Sequence, residues 1–492
     1  MDYVLSIPQK IGDLLRQQFV LRKLNTPTGW ILLIGISLLL GWAMAMTGTK
    51  GSLAILGGII GGPMLLYCFL DLRFGVALTL VTAFLIGLIS KYTYQPIGIA
   101  LDLFLFILSF SLIVRLSQER DFRYFKHPIS LFILAWIYYN IFQVLNPNAE
   151  SRMAWLYTVR SLAVLHFLFF ITCYAFKDLK STLNMIKIIL ALGLISALYG
   201  LKQEFIGFTS REIAWLYEDE ERFQLIVQWD RFRIFSFFSD PTTYGILMAY
   251  MGNFCFILAT GPFAIWKRLV LVFSGICMFL AMAYAGSRTP IVLVPIGMIF
   301  FVLMNPRKEI LIGAAMFFMM GTLMVFKSSS SAVIFRLQSA FRPGDDASVM
   351  VRINNQKRIQ PFIKEHPIGA GLGSTGAWGK RFTPDSWLAS FAHDSGFVRI
   401  AVEMGWIGLI LYMSMLFVIA KTSIYHFFRV RDPVIKVMYL GLSNMILMLI
   451  VASYPQEAIV ILPTSIIFYV SLAAIIRLKD FDRPQELSSA HE

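Results

Sequence analysis

Three groups of polar residues stand out from an otherwise apolar chain by type and spacing. Arg231 and Arg233 precede Ser239, Asp240 and Pro241 in RFRIFSFFSDPTTYG. Asp or Ser before Pro opens a helix well. An arginine just ahead of a helix N-terminus is placed to clamp a phosphate; the plainer reading is a boundary arginine reaching into a headgroup layer. Arg288 stands in the short turn AGSRTPIV, which carries no other charge. It needs a partner, either a bound anion or a distant acid such as Glu403 or Asp240. In AHDSGFVRIAVEMGWIG, His393 and Asp394 precede a helix on which Arg399 and Glu403 are four apart, the spacing of an intrahelical pair. A histidine beside an acid can take a proton from a hydroxyl, whereas a lone loop histidine is more simply solvated.

Other motifs carry less chemistry. Gly371, Gly373 and Gly376 spell GxGxxG, but no strand precedes them, so tight turns explain them better than a dinucleotide. The acidic run Glu218 to Glu221 reads as a solvated helix face. No zinc-ligand spacing or acidic metal cluster occurs, and no cofactor is expected. Cys68, Cys173, Cys255 and Cys277 all fall in apolar segments and read as small buried hydrophobes.

The elements that must position these residues are membrane helices. The chain has 492 residues, 57% hydrophobic and 15% charged, with a mean hydropathy of +0.69, too apolar for a soluble protein of this size. About fourteen apolar segments reach spanning length, near 30–47, 53–70, 75–90, 97–114, 130–145, 160–176, 184–201, 242–260, 268–285, 290–304, 309–326, 396–420, 436–453 and 458–476. They lack the alternation of a barrel, and backbone in lipid must satisfy itself, so helices are expected. The fold class is therefore an all-α polytopic membrane protein. The N-terminus is polar and basic and shows no cleavable signal; the run from Trp30 reads as a first transmembrane helix.

Basic residues cluster in alternate connections: Arg115 to Lys126, Lys177 and Lys180, Lys267 and Arg268, Arg307 and Lys308, and Lys421 to Lys436. The positive-inside tendency then places both termini in the cytoplasm. Much of the +14 net charge is topogenic, so no nucleic-acid partner is expected. The expected organisation is a cytoplasmic amphipathic segment (1–29), N-terminal transmembrane helices (30–201), an outward loop (202–241), central helices (242–326), a large outward loop (327–395), C-terminal helices (396–477) and a cytoplasmic tail (478–492). Short surface helices are expected in the outward loops, for example over 215–229.

Taken in order, these motifs resemble the O-antigen ligase and O-antigen polymerase superfamily of polytopic membrane glycosyltransferases. The resemblance rests on Arg233 with Ser239–Pro241, on Gly286–Arg288, and on Gly369, Gly371, Gly373, His393–Asp394, Glu403, Gly405 and Gly408. It covers roughly residues 200–420. It implies a bacterial inner-membrane enzyme with a periplasmic active site. Such an enzyme moves a glycan from a polyprenyl diphosphate to a hydroxyl of a glycan, lipid-core or protein acceptor, without metal. Carried over, Arg233 and Arg288 bind the diphosphate, with Arg231, Arg399 and Glu403 in the substrate site. His393 or Asp394 serves as base. In ligases the histidine usually stands nine residues before the motif glutamate; here that position is Asp394, a form closer to polymerase-type and exopolysaccharide members. The resemblance leaves room for a chain-length regulator as partner. The rival reading is a lipid-linked oligosaccharide flippase, which should line its path with ionisable residues deep in several helices; here the helix centres read as almost free of charge. A purely structural role would leave the outward arginines unexplained.

Overall fold

The computed structural model describes residues 26–93, 98–228, 231–326, 347–391 and 395–482, with Gln17 and Gln338 as isolated positions. Most of the expected amphipathic N-terminus, the end of the tail, and the candidate bases His393 and Asp394 lie outside the described residues.

The described chain is helical almost throughout. The helices are α1 (Pro27–Leu70), α2 (Leu72–Thr93), α3 (Gly98–Glu119), α4 (Pro128–Phe142), α5 (Arg152–Ala175), α6 (Leu179–Phe205), α7 (Ser210–Tyr217), α8 (Glu220–Ile226), α9 (Pro241–Ala259), α10 (Ile265–Ala285), α11 (Arg288–Met304), α12 (Lys308–Phe326), α13 (Ala347–Glu365), α14 (Gly376–Phe382), α15 (Gly396–Arg429), α16 (Pro433–Ala452) and α17 (Thr464–Leu478). Each expected apolar segment forms helix. Among the described residues, ten helices are long and apolar enough to cross a membrane, while Ile55–Leu70 and Arg288–Met304 are shorter. The last expected segment, 458–476, becomes helix only from Thr464, because turns occupy the stretch up to the cis Leu462–Pro463 bond.

Local sequence explains the starts. Asp178 caps α6 by accepting from Ser181 N at 2.6 Å, with Ser181 reciprocating as a capping box. Asp432 does the same for α16 from Val434 N and Ile435 N, ahead of Pro433. The stretch 215–229, expected as surface helix, instead holds the end of α7, a break at Glu218–Asp219, α8 and a short strand. One element was not foreseen from the sequence: a two-stranded antiparallel ribbon, β1 (Val227–Gln228) with β2 (Arg231–Phe232).

The centre of the bundle is α9 and α17. All of α9 but Thr242 and Phe256 is buried, and every residue of α17 is. Around α9 pack α10, α11 and α16; α17 lies against α5. At the other extreme, Trp30, Ile31, Leu38 and Trp42 of α1 are 60–70% exposed. Water would not tolerate so large an apolar face; lipid is its natural solvent. The four cysteines are buried and free, as their apolar settings suggested.

Candidate functional site

The first site element is a turn built around two arginines. Asp240 caps α9, accepting from Thr242 N (3.0 Å), Thr243 N (2.7 Å) and Thr243 Oγ1 (2.7 Å). α10 closes on Gly286, whose φ of 63° is the left-handed cap that glycine adopts freely. Ser287 follows, and Arg288 is the first residue of α11. Into this corner comes Arg233, only 3% exposed. Its Nε donates to Ala285 O (2.9 Å), Nη1 to Leu225 O (3.0 Å), and Nη2 to Thr242 Oγ1 (3.4 Å) and to Ser287 Oγ. Ser287 Oγ in turn meets Thr242 Oγ1 at 2.9 Å. One guanidinium thus ties together the end of α8, the start of α9 and the turn that presents Arg288. A buried donor left unmade would cost about 1–3 kcal/mol, more for a charge, so these bonds fix the turn firmly. Arg231 lies apart on β2, half-exposed and paired with Glu204 at 2.5 Å.

The segment after Arg233 is held from below. Ser236 takes a φ of 52°, uncommon for a residue with a side chain. Gln203 Oε1 accepts from Phe235 N and Ser236 N, and Lys91 Nζ donates to Ser236 O (3.2 Å) and Phe238 O (2.7 Å). The same ammonium stands 4.2 Å from the Phe235 ring centre, a cation–π contact.

The second element is a kink. Gly405 breaks the helical path of α15 with φ 72° and ψ −180°. That frees backbone groups which lipid cannot satisfy, and the glycine loop satisfies them. Ala370 N donates to Val402 O and Gly371 N to Glu403 O, each at 2.9 Å; Ile407 N donates to Pro367 O at 3.2 Å. Tyr139 Oη donates to Met404 O at 2.7 Å. Gly369, Gly371, Gly373 and Gly376 all take positive φ, between 63° and 93°. The glycines are there for backbone shape, as the turn reading had it. From α4 and the corner before α5, Gln143 and Asn146 donate to Ile368 O (3.1 and 3.0 Å).

The kink positions charge. Arg399 Nε pairs with Glu403 Oε1 at 3.2 Å, as the spacing had suggested, and Arg399 Nη1 pairs with Glu457 Oε2 at 2.6 Å. Thr375 Oγ1 adds a 2.5 Å bond to Glu403 Oε1. Arg399, Glu403 and Glu457 wall a cavity of about 240 Å³ between α5, α15, α17 and the glycine loop. Deeper in, His166 Nδ1 lies 2.5 Å from Leu162 O and its Nε2 2.9 Å from Tyr469 Oη. A carbonyl only accepts, so Nδ1 carries the proton and Nε2 accepts from the tyrosine. Arg231, Arg233 and Arg288 are not among the residues lining this cavity.

Sequence reasoning missed Glu457, His166, Tyr469 and the Asn146 clamp. Glu457 had a signal: a lone acid between apolar runs in YPQEAIVILP. His166 is a second one. Asp102, near the start of α3, pairs with Arg160 of α5 at 3.3 Å.

An all-α membrane bundle with an arginine turn and a glycine-clamped helix defines the class. Comparison with known proteins agrees. Residues 273–413, which carry Arg288, the glycine loop, Arg399 and Glu403, match the family model described as O-antigen ligase. An O-antigen polymerase from Salmonella muenchen is 25% identical over 179 residues, 35% of this chain and 43% of that protein. The chain thus spans less than half the length of the curated relative it matches. The resemblance to the O-antigen ligase and polymerase superfamily holds over this region.

Proposed function

We propose that this protein transfers an oligosaccharide from a polyprenyl diphosphate to an acceptor hydroxyl, on the outward face of a bacterial inner membrane. The reading is of a polymerase or ligase of surface polysaccharide, with both termini cytoplasmic. The observation that carries it is the arginine turn: Arg233 fixes Ser287, and Arg288 begins α11 one residue later. The Arg233 guanidinium and the N-termini of α9 and α11 meet there, and Arg288 opens α11, a setting that favours a dianionic leaving group. In the reaction, the bond between the sugar's anomeric carbon and the diphosphate oxygen breaks as the acceptor oxygen bonds that carbon. The hydroxyl proton passes to Asp394 or His393. Arg288 offers a planar fork to the departing diphosphate and stabilises its charge; Arg233 holds the turn in place. Metal is not needed in this scheme, because the arginines supply the positive charge. A chain-length regulator fits the polymerase branch.

The test is a deletion strain complemented with wild type or Arg288→Ala, its surface and lipid-linked glycans resolved on a gel. Loss of long chains, with single repeats still on their final acceptor, identifies a polymerase. Long chains stranded on the lipid carrier identify a ligase. An unchanged ladder with normal protein levels rejects both and returns the flippase reading to the front.

A further inference from the structure

We propose that the cavity walled by Arg399, Glu403 and Glu457 is a sugar subsite that holds one ring of the acceptor, with Glu457 receiving its hydroxyl hydrogen bonds. The proposal rests on the glycan-transfer reading above and names the substrate class of a cavity outside the arginine turn.

Four observations carry it. First, the wall offers acceptors and a donor side by side: Arg399 is shared between the Glu403 and Glu457 carboxylates. A neutral polyol suits it, because carboxylates and guanidinium together accept from and donate to vicinal hydroxyls. Second, the Ser465 hydroxyl lies on this cavity, is 1% exposed, and has no hydrogen-bond partner among the described residues. A buried hydroxyl without a partner is costly, and a ligand hydroxyl would satisfy it. Third, the walls offer ring faces. Trp136 and Trp378 line the cavity, and Trp378 is set by Tyr157 at 4.9 Å between ring centres. Flat apolar faces beside a few convergent polar groups are the make-up of a small-molecule site. The volume of about 240 Å³ is under the roughly 300–1,000 Å³ of sites for larger ligands, which suits a single ring. Fourth, the cavity reaches the start of α15. Gly396 lines it, and Gly396 N donates to Ser453 O (3.1 Å) and Gln456 O (3.4 Å), so Glu457 is stitched to the start of α15.

The experiment uses the full chain in lipid nanodiscs and tryptophan fluorescence. The probe is oligosaccharide released by mild acid from the producing strain's own surface polysaccharide, with dextran oligosaccharides of equal size as control. Wild type should show a saturable response to the strain's fragments only. Glu457→Gln should weaken binding roughly tenfold or more, the worth of one charged hydrogen bond. Val460→Trp, which adds bulk at the cavity wall without touching the ion cluster, should abolish binding while keeping the wild-type unfolding transition. Arg288→Ala should still bind. Absence of a saturable response in wild type overturns the proposal, as does wild-type binding by both Glu457→Gln and Val460→Trp. The assay needs no turnover, so the two readings fail separately. No binding, with the glycan ladder lost in Arg288→Ala, sinks the cavity and leaves the transfer reading. Binding with an unchanged ladder does the reverse.

Discussion

Gly369 and Gly405 pack backbone against backbone: a Cβ on either would come within 2.6 Å of the other's amide nitrogen. No side chain fits between them, and both take positive φ, 74° and 72°. The contact joins the glycine loop to the kink in α15, and so sets where Glu403 and Arg399 stand.

Replacing Gly405 by alanine should therefore be severe. The new methyl would meet Pro367 O at 2.0 Å, and the left-handed backbone adds about 1–3 kcal/mol of strain. Thermal unfolding of the purified protein in detergent should show a clear drop in Tm. A Gly405→Ala protein with the wild-type transition would mean the kink is not needed.

The buried ion cluster predicts an asymmetry. Glu403 is 3% exposed and shares Arg399 with Glu457. Removing one partner of a buried pair typically costs about 3–5 kcal/mol, whereas replacing the whole set with apolar groups is often tolerated. Glu403→Ala should lower stability by that order. Glu403→Gln keeps a hydrogen-bond acceptor for Thr375 Oγ1 and should cost less. Equal losses would assign the whole cost to the charge and none to the Thr375 bond; a Glu403→Gln protein as stable as wild type would argue against the charge mattering.

Arg233 and Arg288 should separate in their phenotypes. Arg233→Ala strips donors from Ala285 O, Leu225 O and Ser287 Oγ, so it should reduce both stability and long-chain glycan. Arg288→Ala at the start of α11 should abolish long-chain glycan while lowering stability less than Arg233→Ala, since Arg233 is only 3% exposed. Paired Tm and glycan-gel measurements distinguish them; identical behaviour would contradict the division of labour.

A pH effect comes from His127, which caps α4 by accepting from Ile129 N at 3.2 Å. Burial, reinforced by the positive charge of Lys479, holds its imidazole below its ordinary range. The unfolded chain then binds the proton more readily. The stability from this group is complete above the ordinary pKa of about 6.5 and declines as pH falls through the depressed value. His127→Asn keeps a cap without titrating, so its Tm should fall less than wild type's between pH 7 and pH 5. Parallel declines would exclude His127 as the cause.

The sequence was a good guide wherever one local rule acted alone. Length and hydropathy located the helices, Asp240–Pro241 opened α9, and the i,i+4 spacing paired Arg399 with Glu403. It was a poor guide where partners meet across the chain. Nothing near Asn146 announces its 3.0 Å bond to Ile368 O, and nothing near Arg399 announces Glu457, since 58 residues separate them. The arginine motif was readable, yet its type could not say that Arg233 would be spent on carbonyls while Arg288 opens a helix. The start of α17 was misplaced because apolar residues at 458–463 look like helix until turns and Pro463 intervene.

The clamp between the glycine loop and α15 also sets where this protein can change length. From Pro367 to Gly371 the loop's amides and carbonyls are in register with Val402, Glu403 and Ile407. A single inserted residue there would misalign every bond, as a slipped zip does. The stretch after α14 divides in two: Thr383 to Ser386 makes a local turn and meets Glu150 through Ser386, while Leu388 and Phe391 pack in a buried cluster with Ile359, Ala370 and Val402. A tag or reporter peptide belongs at the exposed Pro384–Asp385 turn, ahead of that cluster, where the scaffold can lengthen without moving the kink.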